Sequence, residues 1–179
     1  MLFFLSKTQY CQHFRHVRKI SNVYSIAIDK QGNKWFGTYD GISKFDGINW
    51  TNYRYNGDKI KGIAGTTVLS IAIDNQGINW FGTWGGISEF DGTNWINHDN
   101  ETVWLKAGSP VLSAAIDSSG NKWFGSNGWG ISELNGSQWI TYEEANGQKI
   151  APVYQIAIDS NGNKWFCTAE GLIKFEDKN

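Results

Sequence analysis

The 179-residue chain has only two cysteines, two prolines and three histidines. Cys11 and Cys167 are too few and too far apart in sequence for a disulfide framework or a cysteine metal cluster. His13, His16 and His98 fit no nucleophile–histidine–acid arrangement and no His-Glu-x-x-His motif, so no residue receives a catalytic role. The chain therefore reads as non-enzymatic, with no cofactor and no dedicated metal site; His13-x-x-His16 is at most an adventitious metal contact. No apolar run approaches the roughly 18 residues of a membrane span. Met1-Leu-Phe-Phe-Leu5 is too short for a signal-peptide core and lacks a small-residue cleavage site, which leaves the compartment open.

An excess of one charge is also missing, since the formal net charge is −1. Residues 1–22 hold Lys7, Arg15, Arg18 and Lys19 without an acid, leaving 12 of the 16 basic residues against all 17 acids elsewhere. The body of the chain thus lacks the basic face that nucleic-acid binding requires.

Glycine and aromatics are plentiful: 21 glycines, 10 tryptophans and an aromatic content of 15%. They are periodic. Val23-Tyr-Ser-Ile-Ala-Ile-Asp29-Lys-Gln-Gly32-Asn-Lys-Trp35-Phe36-Gly37-Thr38 leads into Gly41-Ile-Ser-Lys-Phe45-Asp-Gly47 and then Asn49-Trp50-Thr-Asn-Tyr53. The pattern recurs with its first tryptophan at Trp80, Trp123 and Trp165, in steps of 45, 43 and 42 residues. Four short strand patterns in a period of about 40 to 45 residues are the signature of a propeller blade. The expected fold is an all-β propeller of four four-stranded antiparallel blades, as one domain over residues 1–179.

Within a unit, Val23–Ile28 reads as an inner strand buried on both faces. Asp29-x-x-Gly32 and its equivalents at Asp74, Asp117 and Asp159 read as hairpin turns, with glycine in a positive-φ position. Asp159-Ser-Asn-Gly-Asn163 lacks the carboxylates and distal Glu of a calcium loop. Trp35 is expected between adjacent blades, and Trp50, Trp95 and Trp139 mark the outer strands. Cys167 replaces the glycine of Trp-Phe-Gly-Thr and reads as a small buried residue.

The blades are placed at about 23–53, 67–98, 110–142 and 152–179, the last lacking its outer strand. Lys7-Thr-Gln-Tyr10 resembles Trp50-Thr-Asn-Tyr53 without the tryptophan, so residues 2–10 are expected to complete the fourth blade, with the rest of 1–22 a basic linker. Completion would remove an unpaired sheet edge. A monomer, a dimer whose two chains share one ring, and a piece of a larger propeller all accommodate the four units.

Ile26-Ala-Ile-Asp-Lys-Gln-Gly-Asn-Lys-Trp35-Phe-Gly-Thr-Tyr-Asp-Gly41-Ile resembles the two-component regulator propeller repeat, and the resemblance covers residues 23–175. That repeat occurs in extracytoplasmic sensor domains of bacterial hybrid histidine kinases, some of which sense oligosaccharides. The resemblance implies a sensor-type, ligand-binding propeller and a periplasmic or extracellular place. No kinase or output segment is readable in these residues. Streptogramin lyases, propellers with a loosely similar Trp-Phe motif, are the natural enzymatic comparison.

Seven tryptophans keep the repeat register; Trp84, Trp104 and Trp129 do not. Trp84 and Trp129 fall between the second and third strands, and Trp104 in a blade-to-blade connection. In a propeller both loop classes emerge on one face. Tyr39, Asp40, Asn127 and Glu170 occupy the matching loops. Aromatics beside carboxylates and amides stack on sugar rings and hydrogen-bond their hydroxyls, so the expected ligand is carbohydrate. The other reading is a structural or protein-interaction module, since tryptophan and tyrosine also anchor protein partners.

Overall fold

The alternation of small and β-branched residues, broken by Asp-x-x-Gly and Asp-Gly turns, folds as written. In the computed structural model, residues 22–57, 62–98, 109–145, 147–150 and 152–175 are described. The first sheet runs β1 (Val23–Ile28), β2 (Lys34–Thr38), β3 (Gly41–Phe45) and β4 (Trp50–Tyr53). The second runs β5 (Val68–Ile73), β6 (Asn79–Thr83), β7 (Gly86–Phe90) and β8 (Trp95–His98). The third runs β9 (Val111–Ile116), β10 (Lys122–Ser126), β11 (Ile131–Asn135) and β12 (Gln138–Tyr142). A small hairpin follows, β13 (Glu144–Ala145) and β14 (Gln148–Lys149), and then β15 (Val153–Ile158), β16 (Lys164–Thr168) and β17 (Gly171–Phe175).

Each sheet is an antiparallel meander with neighbours in chain order, and the inner strands pack β1 to β5, β5 to β9 and β9 to β15. This is a β-propeller of four-stranded antiparallel blades. The fourth blade has three strands among the described residues. The completing strand expected at residues 2–10 lies outside them, as do His13 and His16.

The Asp-x-x-Gly turns do more than reverse the chain. Asp29 Oδ1 accepts from the backbone N–H of Gln31 and Asn33, while Oδ2 accepts from Asn33 Nδ2 and from Trp35 Nε1 at 2.9 Å. Asp117 and Asp159 hold Trp123 and Trp165 likewise, both at 3.0 Å; Asp74 reaches Trp80 at 3.5 Å. The turn glycines Gly32, Gly77, Gly120 and Gly162 all have φ between 82° and 86°, a conformation costly for any residue with a Cβ.

One carboxylate per blade thus fixes the indole that the next blade packs against. Trp35 meets Phe81 at 5.9 Å, Trp80 meets Phe124 at 6.0 Å and Trp123 meets Phe166 at 6.0 Å, each with planes 52° apart. Among the described residues the apolar core is therefore three seams, one between each pair of successive blades. Close approach at a seam requires glycine: a Cβ on Gly82 would lie 2.7 Å from Val111 Cγ1, and one on Gly125 would lie 2.6 Å from Val153 Cγ1.

Two sequence expectations fail at the ends of this series. β1 is not buried on both faces, because no described blade lies behind it; Ile26 and Ile28 are 63% and 64% exposed. Cys167 is exposed rather than buried, for the matching reason that no described blade lies in front of the fourth.

Candidate binding face

The turn between second and third strands is built by one residue type. Thr38 Oγ1 donates to Gly41 O and accepts from Asp40 N, and Thr83 and Thr168 repeat the arrangement. In the third blade Ser126 replaces threonine, and the turn is one residue longer. The residue after this hydroxyl is Tyr39, Trp84, Asn127 or Ala169, according to blade. Its N–H donates to the carbonyl just before the inner strand: Asn22, Thr67, Pro110 and Pro152, at 3.2, 3.0, 2.9 and 3.1 Å. These four side chains therefore start from equivalent points, at the same end of each inner strand.

Of the sequence-predicted residues, Tyr39, Trp84 and Asn127 share that position. Tyr39 is 62% and Trp84 57% exposed, and Asn127 is exposed. Asp40 and Glu170 follow them in the turn and are also exposed. Asp40 pairs with Arg54 Nε at 2.9 Å, with both side chains mostly in solvent. Glu170 borders a cleft of about 260 Å³ lined by Gln148, Lys149, Thr168 and Leu172.

Trp129 departs from the set. It is half-buried, its N–H donates to Ser126 Oγ, and it lines a crevice with Glu143, Lys149 and Ile150. The extra residue in its turn carries it away from the Tyr39 position and onto the connection leaving its own blade. Trp104 lies outside the described residues.

Sequence reasoning missed Arg54, Gln148, Lys149 and Thr67. Arg54 follows an outer strand, and Lys149 sits on a hairpin outside the repeat, so the periodicity carries no signal for either. Thr67 carried one, since it stands immediately before the inner strand of a repeat unit.

Away from this face, His98 and Glu89 form a half-buried pair at 3.0 Å. His98 takes the place that Tyr142 holds over Glu133, where the phenol donates at 2.7 Å. Its ring stacks on Trp80 at 5.6 Å and lies 5.2 Å from Trp139. That pair is part of the blade packing. Asp29, Asp117 and Asp159, at the heads of Asp-x-x-Gly turns, are acidic beyond the ordinary range. Burial works to raise Asp29 and Asp117, and hydrogen bonds from the indole and asparagine outweigh it, so both end lowered. In Asp159 the side chains of Asn163 and Trp165 bring the pKa down to about 2.

No family model matches the chain, and no curated protein matches it. Solved structures do. The extracellular domain of a B. thetaiotaomicron protein assigned to the hybrid two-component systems superposes with a TM-score of 0.67 at 19% identity, over 85% of this chain and 21% of that one. A streptogramin B lyase superposes at 0.65 with 18% identity, over 87% of this chain and 54% of that one. The computationally designed Ika4 protein superposes at 0.61 with 15% identity, over 87% of this chain and 91% of that one. This chain spans about a fifth of the sensor domain and about half of the lyase. Likeness at such identities establishes the fold: the chain is similar to sensor-domain propellers, with the architecture that its repeat implies.

Proposed function

We propose that this propeller is a non-catalytic binding module whose ligand, a carbohydrate, sits on the end carrying Tyr39, Trp84 and Asn127. The observation behind this reading is two large aromatic side chains, each more than half exposed, at equivalent turn positions of neighbouring blades. Leaving such rings exposed in solvent-facing turns gains nothing for the fold, whereas a sugar's apolar face covers them on binding. Asp40, Asn127 and Glu170 supply the hydroxyl partners. Arg54 and Lys149 add donors at the rim. Trp129 contributes through the shape of the third-blade turn. We assign no catalytic step: His98 and Glu89 are spent on one another inside the blade packing.

Glycan-array screening followed by tryptophan-fluorescence titration tests this reading. Binding should disappear in Trp84→Ala and weaken at least tenfold in Tyr39→Ala. A glycan response that survives removal of both side chains refutes the site.

A further inference from the structure

The three internal seams share one recipe. The forward face of each blade offers a tryptophan held by its turn aspartate. The rear face of the next offers a phenylalanine, and in two seams also a lysine. Lys122 Nζ reaches Asp74 Oδ2 at 3.7 Å and lies 5.3 Å from the centre of the Trp80 ring. Lys164 Nζ reaches Asp117 Oδ2 at 3.5 Å and lies 5.0 Å from Trp123. In the seam between first and second blades, Asn79 stands in the lysine position, and its Oδ1 is buried without a partner.

Among the described residues, both halves of this recipe also occur unmatched. The rear of the first blade carries Lys34 and Phe36 in the positions of Lys122 and Phe124, beside the exposed Ile26 and Ile28. The forward face of the fourth carries Asp159 and Trp165, in the positions of Asp117 and Trp123, beside Leu172, 66% exposed. Among the described residues Lys34 has no ion pair, and Asp159 is bonded only within its own turn. One face is thus the charge and shape complement of the other, and continues an interface the molecule already makes three times.

We propose that the rear of the first blade docks on the forward face of the fourth blade of a second copy, Lys34 on Asp159 and Phe36 on Trp165. The contact is heterologous, and two copies joined twice head to tail close a ring of eight blades, within the usual range of propellers. The new seam differs from the internal ones at its inner edge. Where those have Ser25 beside Gly37, Ser70 beside Gly82 and Ser113 beside Gly125, the fourth blade has Gln155 beside Cys167. A Cβ at the glycine position approaches the valine of the next blade to 2.9 Å or less. Cys167 therefore props the seam open against the second copy's Val23, which makes association reversible.

Sedimentation velocity on the full chain tests this. The chain should form a dimer of twice its 20.1 kDa mass. Ile26→Glu and Leu172→Glu should each give monomers, with unchanged circular dichroism. Mixing the two variants should restore dimers, because one seam of the mixed ring is then native. Cys167→Gly with Gln155→Ser should lower the dissociation constant at least tenfold, a gain that misfolding does not imitate. A wild-type chain that stays monomeric at all concentrations overturns the proposal, whether its end faces remain bare or close on each other. So does a dimer indifferent to both Glu substitutions, or a mixture that stays monomeric.

Discussion

Tyr39 and Trp84 are joined through a single residue. The Thr67 hydroxyl donates to the Tyr39 carbonyl at 3.3 Å, and the Thr67 carbonyl accepts from Trp84 N–H at 3.0 Å. The two exposed rings thus stand on adjacent blades with their backbones coupled, and Thr67 itself is buried. Such coupling limits how far the rings can drift apart and reduces the ordering cost of binding across them.

Thr67→Val keeps the shape of the residue and the carbonyl bond to Trp84 but deletes the hydroxyl. We expect a stability loss of about 1 kcal/mol, one net hydrogen bond. Glycan affinity should fall several-fold while Trp84→Ala abolishes it. Thermal melting alongside fluorescence titration separates the two effects.

Asp29, Asp117 and Asp159 have lowered pKa values in the folded chain. Their contribution to stability is complete above the unfolded carboxylate value of about 3.9 and is lost as pH falls through the folded values. Melting temperature should therefore hold between about pH 7 and about pH 5. It should drop steeply between about pH 4 and pH 2. A decline already complete at about pH 5 would contradict the aspartate linkage.

Asp117 accepts from Ser119, Asn121 and Trp123 and faces Lys164, whose side chain is almost wholly buried. Asp117→Ala strips partners from the buried Trp123 indole and from the turn N–H groups, and removes the carboxylate facing the buried Lys164 ammonium, so it should cost about 3 kcal/mol or more. Asp46→Ala, in an exposed Asp-Gly turn, should cost clearly less. Chemical denaturation of both variants gives the comparison.

His98→Tyr should be accepted, since Tyr142 already occupies the equivalent site over Glu133. His98→Ala removes the stacking on Trp80 and leaves Glu89 half-buried without its partner, with an expected loss of about 2 kcal/mol. Equal stability of the Ala and Tyr variants would rule out this role.

Much of the fold was legible because a blade's rules are local. Asp-x-x-Gly turns, Trp-Phe-Gly-Thr strands and their spacing encode hydrogen bonds within six residues, from Asp29 to Trp35 for example. The candidate site was legible by subtraction, since Tyr39, Trp84 and Asn127 fill a turn position that the repeat leaves variable. Trp129 was not separable from Trp84 in this way. One inserted residue redirects its turn, and only the crevice that it lines with Glu143 and Ile150 reveals where it goes.

By itself, then, the amino-acid order determined the blade, its turns and the identity of the seam residues, all set by neighbours close along the chain. Tertiary structure alone decided which faces found a partner. Val23–Ile28 and Val68–Ile73 are nearly the same strand in sequence, yet one stands open and the other lies in a core. Burial belongs to the seam between two blades, and no single repeat contains a seam.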